Sequence, residues 1–160
     1  MKFKINKKVL LIISIILLMI IIDQLIKIYV SNNIYNSSIT LINGFLNLTY
    51  VENTGGAFGI GNNNIVFFII VNIIIIGVLV KLLISKKEEI NTITLISISL
   101  IIAGGMGNLI DRIFRAHVID YIDITPIIKY PIFNFADICV VFGIALIIVD
   151  LIYRSKNERI

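Results

Sequence analysis

The amino-acid sequence predicts an all-α integral membrane protein with four transmembrane helices and a small extracytoplasmic β element between helices 1 and 2. The chain has 160 residues, of which 58% are hydrophobic and 15% are charged, and its mean hydropathy is +1.01. A soluble domain is usually nearer half apolar and a quarter charged, and so short a chain cannot bury this much apolar surface inside itself. Much of its surface is therefore expected to face lipid.

Four apolar runs supply the helices of this prediction. With their flanks they predict helices at about residues 9–29, 65–84, 93–113 and 137–153, in one membrane-embedded domain that comprises residues 1–160. Each run is close to the ~20 residues that cross a hydrocarbon core of ~30 Å. The fourth run is the shortest and needs its flanking residues to span the core.

The first run begins like a secretory signal peptide. It follows Lys2, Lys4, Lys7 and Lys8, but no small-x-small cleavage site comes after it, and it continues as an apolar segment beyond Asp23. A retained first helix is therefore expected.

The connection between helices 1 and 2 carries a different pattern. Residues 39–51 partly alternate between apolar and polar side chains, which favours extended strands over a helix. Asn43 and Gly44 form a dipeptide that is typical of a hairpin turn. We therefore expect a small sheet on the outer membrane surface.

The distribution of Lys and Arg predicts the orientation of the helices, because cytoplasmic connections carry an excess of both. Residues 31–64 contain neither, whereas the N-terminus, the second connection and the tail contain several. The basic residues of the second connection and the tail include Lys81, Lys86, Lys87, Arg154, Lys156 and Arg159. Both termini are therefore expected to be cytoplasmic. The basic residues form no basic face, so nucleic-acid binding is not expected.

Polar residues converge on the outer end of the predicted bundle. Asp23 comes 14 residues after Val9, about 21 Å along its helix, and Asp111 comes 18 residues after Ile93, about 27 Å. Charged side chains at the centre of a transmembrane helix cost about 2.5–3.5 kcal/mol, which makes them candidates for function. The outer layer contains Asp23, Asn53, Asn108, Asp111, Arg112, Asp120, Asn134 and Asp137.

Some of these residues also have structural interpretations. Asp23 and Lys27 lie four residues apart on one helix face, so they form either a simple intrahelical ion pair or part of what holds a site together. Asp111 and Arg115 share this spacing, and for them the structural interpretation is favoured.

Asp120 and Asp137 flank the third outer connection and have no cation three or four residues away. Two carboxyl groups in a low-dielectric site cannot both ionise, so one retains a proton. Such a pair can activate water and polarise an amide carbonyl, as in aspartic proteases. Paired acids also serve in proton or cation transport, so a small proton- or cation-coupled transporter and a structural membrane subunit remain alternatives.

Five short blocks, in order along the chain, resemble the lipoprotein signal peptidases, also called type II signal peptidases. They are 23–27 (DQLIK), 52–59 (ENTGGAFG), 104–112 (GGMGNLIDR), 118–122 (VIDYI) and 133–137 (FNFAD). Gly56 stands where the family usually has Ala, and Ile119 and Tyr121 replace the usual Val and Phe. Each block alone is weak, but five in order on a four-helix profile are specific.

This resemblance implies an aspartic endopeptidase at the outer face of the bacterial cytoplasmic membrane. Its substrate would be a diacylglyceryl-modified prolipoprotein, cleaved just before the lipidated cysteine, and its other contacts would be membrane lipid. It implies no cofactor and no metal, and we expect a monomer. The resemblance makes Asp120 and Asp137 the catalytic pair, with support from Asp23, Lys27, Asn53, Gly55, Asn108, Arg112, Asn134 and Ala136.

The two aspartates are expected to share one negative charge unequally. Asn134 stands just before the fourth apolar run and is the expected N-cap, which places Asp137 at the third helical position. Free amides and the helix dipole favour a carboxylate there. Asp137 is therefore expected to carry more of the charge, and Asp120 more of the proton.

Overall fold

The computed structural model describes residues 7–56, 64–86 and 90–157. The elements are α1 Lys7–Asn33, β1 Ser38–Ile42, β2 Leu46–Asn53, α2 Ile65–Lys86, α3 Thr92–Arg115, β3 Val118–Asp123 and α4 Phe135–Asn157. All four helices are long and apolar enough to cross a membrane, which confirms the predicted helices. Each is longer than its predicted range. The predicted positions Lys2, Lys4, 57–59, Lys87 and Arg159 lie outside the described residues.

Helix α3 forms the centre of the bundle. Over its most apolar 18-residue window 56% of the residues are buried, against none in α2. Gly104 and Gly107 let the neighbouring helices approach α3 closely, since an added Cβ would collide with the Ala136 carbonyl oxygen at the first position and with Asp23 at the second. Helix α2 exposes Val66, Ile70 and Ile74, as a lipid-facing helix should.

The three strands form one antiparallel sheet in the order β1-β2-β3. Gly44 has φ +69° in the turn between β1 and β2, which confirms the predicted hairpin. The third strand was not predicted, so a β element confined to the connection between helices 1 and 2 was incomplete. Ala116 adopts the left-handed conformation, with φ 61°, where α3 ends and the chain turns into β3.

The sheet is anchored to the C-terminal end of α1 by a small apolar core. Val30 of α1 and Ile34, which directly follows α1, pack with Ile119 and Tyr121 of β3, and all four are buried. The Ile119 N–H also donates to Oδ2 of Asp111, at 3.2 Å. These contacts fix β3, and with it Asp120, against the helices.

Candidate active site

Asp120 is held in place by the pairing of β2 with β3. The register sets Val51 opposite Asp120 and Asn53 opposite Val118, which brings the Asn53 side chain to Asp120. Nδ2 of Asn53 donates to Oδ2 of Asp120 at 2.9 Å. Oδ1 of Asn53 accepts from the Gly55 N–H at 2.9 Å, so the orientation of the Asn53 amide is fixed by partners at both ends.

Asp137 is held in place by the beginning of α4. The Asp137 N–H donates to Oδ1 of Asn134 at 3.0 Å, and the Asn134 N–H donates back to Oδ2 of Asp137 at 3.1 Å. This reciprocal arrangement satisfies two backbone donors at the helix start. It confirms that Asn134 is the N-cap and that Asp137 is the third helical residue.

Asn134 also connects the two aspartates. Its Nδ2 donates to Oδ1 of Asp120 at 2.6 Å, while its backbone N–H contacts Asp137. Asn108 of α3 completes the set, because its Nδ2 donates to Oδ1 of Asp137 at 2.8 Å. Every oxygen of both carboxyl groups therefore accepts a hydrogen bond from an N–H group.

The electrostatic environment of Asp120 favours its protonated form. Its side chain is buried, with 3% of the residue exposed. Burial, and secondly the nearby charge of Asp137, raise the pKa of Asp120 to about 7, although the hydrogen bonds from Asn53 and Asn134 act in the opposite direction. Near neutral pH this carboxyl group can therefore hold or release a proton.

A cluster of buried charged side chains lies next to the two aspartates. Nζ of Lys27 contacts Oδ2 of Asp23 at 2.9 Å and Oδ2 of Asp111 at 2.8 Å, and Arg115 pairs with Asp111. The Asp23–Lys27 contact is an intrahelical ion pair, and it also holds the site together. Oδ1 of Asp23 accepts the Ala136 N–H at 3.1 Å, so α1 is tied to the first turn of α4.

An open cavity of about 590 Å³ gives access to the pair. Asn53, Asn108, Asp120 and Asp137 line it together with apolar side chains such as Val140 and Phe133. Arg112 forms part of the wall, where its Nη2 donates to the Gly55 carbonyl at 3.0 Å. A chain with an extended backbone and an apolar neighbourhood could therefore reach both carboxyl groups from one side.

Comparison with known proteins identifies the family. Residues 15–153 match the family Signal peptidase (SPase) II. The lipoprotein signal peptidase of Clostridioides difficile is 43% identical over 92% of this chain and 98% of its own length. That of Fusobacterium nucleatum is 37% identical over 90% and 87%. The chain belongs to the signal peptidase II family.

Solved structures agree with this membership. A bacterial membrane enzyme determined in meso at 2.3 Å resolution is 37% identical and superposes with a TM-score of 0.83, over 92% of this chain and 90% of that one. A second, at 1.9 Å resolution, is also 37% identical and gives a TM-score of 0.79, over 88% and 91%. The resemblance seen in the sequence is therefore confirmed.

Signal peptidase II enzymes are membrane aspartic peptidases that remove signal peptides from prolipoproteins. The transporter alternative is not supported. Within this peptidase the ten predicted site residues come together in one layer, although they come from α1, β2, α3, β3, α4 and the segments that precede α4 and follow β2. Among the described residues, no three His, Cys, Asp or Glu side chains are grouped so that they could hold a metal ion.

Two residues of this peptidase's site were missed by the sequence analysis. Nε2 of Gln24 donates to the Gly107 carbonyl at 3.2 Å, and its Oε1 accepts from Arg115. The hydroxyl group of Tyr121 accepts the Phe135 N–H at 3.2 Å. A polar residue beside Asp23 in an apolar run was a signal for Gln24, whereas Tyr121 stood out only as a departure from the Phe that is usual in the family.

Proposed function

We propose that this chain removes the signal peptide from diacylglyceryl-modified prolipoproteins by hydrolysing the peptide bond just before the lipidated cysteine, with Asp120 and Asp137 as the catalytic pair. The observation that carries this proposal is the Asn134 bridge. One residue donates both to Asp120, at 2.6 Å, and to Asp137, at 3.1 Å, at the wall of a cavity that both aspartates line.

The chemistry follows from unequal protonation of the pair. Protonated Asp120 donates a hydrogen bond to the oxygen of the scissile carbonyl, while the Asp137 carboxylate takes a proton from water as the water oxygen attacks the carbonyl carbon. As the C–N bond breaks, Asp137 passes the proton that it took from water to the departing amine and becomes a carboxylate again. The products are a signal peptide with a new carboxyl group and a lipoprotein with a free amino group on its cysteine.

The other site residues hold this pair in position. Asn53, Asn108 and Asn134 supply N–H donors to the carboxyl oxygens. Asp23 and the Ala136 backbone join α1 to α4. Arg112 fixes Gly55, and with it the turn that orients Asn53. Preorganised donors of this kind need no rearrangement during the reaction.

We also propose that the site lies at the outer face of the bacterial cytoplasmic membrane, with both termini in the cytoplasm, and that the enzyme acts as a monomer. Lys7 at the start of α1, Lys81 near the end of α2 and Arg154 near the end of α4 lie at the end of the bundle opposite the sheet, as expected if that end is cytoplasmic. The sheet then lies on the outer surface, where Ile39, Leu41 and Phe45 are exposed and can contact lipid.

Labelling tests the orientation. A cysteine placed at the exposed Asn43, in a Cys139→Ala background, should react with a membrane-impermeant thiol reagent in intact cells. Reaction only after lysis would reverse the proposed orientation.

A cleavage assay tests the activity and its substrate. The purified protein in detergent should convert a diacylglyceryl prolipoprotein to a faster-migrating product, and mass spectrometry should place the cut just before the lipidated cysteine. The same prolipoprotein without its lipid is the control and should be cleaved much more slowly. Cleavage elsewhere, or equal cleavage of both substrates, would contradict the proposal.

A further inference from the structure

Lys27 is the least accessible cation among the residues that the structure describes. It is 0% exposed, and it does not line the cavity. Its ammonium group has three hydrogens to donate and three acceptors within reach. Two are the carboxylates of Asp23 and Asp111, and these balance its charge. The third is the neutral Oδ1 of Asn108, at 3.0 Å.

The third contact matters because Asn108 also touches Asp137. An asparagine amide has nearly the same shape in either orientation, so its partners decide which end points where. Nδ2 of Asn108 donates to Oδ1 of Asp137 at 2.8 Å. In the flipped orientation the NH₂ group would face the Lys27 ammonium, two groups that only donate, and the amide oxygen would face a carboxylate. Lys27 therefore forces the orientation that gives Asp137 a donor.

A second group that donates to Oδ1 of Asn108 also has other acceptors. Nδ2 of Asn134 lies 3.1 Å from Oδ1 of Asn108, but it also donates to Asp120 at 2.6 Å and lies 3.3 Å from the Ile119 carbonyl. Its two hydrogens are thus divided among three acceptors. Of the groups that orient Asn108, Lys27 alone is a cation.

We propose that Lys27 is a positioning residue that acts on catalysis through Asn108, by fixing the amide orientation that presents an N–H to Asp137. This inference rests on the proposed function of Asp120 and Asp137. Because Lys27 does not reach the cavity, its loss should lower kcat and leave KM nearly unchanged. Misplacement of a catalytic group commonly costs up to about 100-fold.

The test compares Lys27→Gln with Lys27→Met, two side chains of similar length of which only Gln keeps a donor. Lys27→Met should lower kcat by about 10- to 100-fold with KM within about twofold, and Lys27→Gln should recover part of the loss. Arg154→Gln is the matched control, because it removes a cation that also pairs with a buried aspartate four residues away, Asp150, at the other end of the bundle, and it should keep kcat near wild type.

A double-mutant cycle with Asn108→Ala separates this role from general destabilisation. If Lys27 acts through Asn108, kcat of Lys27→Met/Asn108→Ala should equal that of Asn108→Ala alone. Multiplicative losses, an equal loss in Arg154→Gln, or a change confined to KM would each overturn the inference. Thermal unfolding in detergent monitors folding, and if Lys27→Met does not fold, the Lys27→Gln cycle decides instead.

If the proposed function itself were wrong, a different variant would reveal it. In that case Asp137→Asn would retain wild-type cleavage, whatever the Lys27 variants do.

Discussion

The Asn134 and Asp137 side chains cap each other's backbone N–H groups, at 3.0 and 3.1 Å. This reciprocity fixes the Asp137 carboxylate at the start of α4. It also leaves Nδ2 of Asn134 free to reach Asp120. The cap that begins the helix is therefore also the link between the two acids.

Substitution of Asn134 should separate these two roles. Serine can cap a helix but has no N–H₂ group for Asp120, so Asn134→Ser should unfold near the wild-type temperature while cleavage falls at least about 10-fold. Asn134→Ala should lose activity too and be less stable than the serine variant by about 1 kcal/mol. Thermal unfolding and cleavage rates check this. Equal stability of the two variants would contradict the capping role.

The pH dependence of kcat/KM should report Asp120. Since the pKa of Asp120 is raised to about 7, kcat/KM should fall above neutral pH as this acid loses its proton. The Asn53 hydrogen bond lowers that pKa, because it stabilises the charged form. Asn53→Ala should therefore raise the pKa of Asp120 and move the alkaline limb of the kcat/KM profile to higher pH. The maximum of kcat/KM should be about 10-fold lower than in the wild type.

Asn72→Ala is the control for this profile. Asn72 donates to the Gly105 carbonyl from α2 and touches neither aspartate, so its loss should leave the alkaline limb in place. An alkaline limb that stays or moves to lower pH in Asn53→Ala would show that Asp120 does not set it.

Close packing at Gly107 should be intolerant of a methyl group. A Cβ at this position would lie 2.5 Å from Oδ2 of Asp23 and 3.2 Å from Cβ of Ala136. Gly107→Ala should therefore destabilise the protein by about 1–3 kcal/mol and lower activity, because Asp23 must move. Gly77→Ala in α2 meets nothing within 4 Å and should unfold at or above the wild-type temperature.

Infrared spectra should show which acid holds the shared proton. Slightly below neutral pH, Asp120→Asn should remove a protonated-carboxyl band that Asp137→Asn weakens but does not abolish, because burial, the larger cause of the raised pKa of Asp120, remains when the charge of Asp137 is lost. Because the proposed pair shares one proton, the spectra report populations of microstates. The opposite pattern would reverse the assignment.

Much of this site was predictable because topology alone gathers it. Apolar runs of spanning length fix where the chain crosses the membrane, and alternate crossings bring Asp23, Asn108, Asp120 and Asp137 to one end. The N-cap at Asn134 was also readable, since a capping residue stood directly before an apolar run. These are local patterns, which a single sequence carries.

The remaining features depend on contacts between distant segments. Residues 118–123 are few, and their two aspartates stand three positions apart, so the segment does not show the two-residue period of a strand. Nothing local indicates that Val118 pairs with Asn53. The orientation of the Asn108 amide requires Lys27 to lie beside it, and these residues are 81 positions apart. Such pairings are decided by packing in three dimensions.

The most direct test of the catalytic pair is the single-turnover cleavage rate of Asp120→Asn and Asp137→Asn with a diacylglyceryl prolipoprotein. Asp123→Asn is the matched control, because Asp123 lies on the same strand as Asp120 but bonds Thr49 and Thr125 outside the cavity. Asp120→Asn and Asp137→Asn should both be folded and should cleave at least about 100-fold more slowly than the wild type. Asp123→Asn should cleave at the wild-type rate. Cleavage near the wild-type rate by either variant in its folded form would contradict the assignment of Asp120 and Asp137 as the catalytic pair.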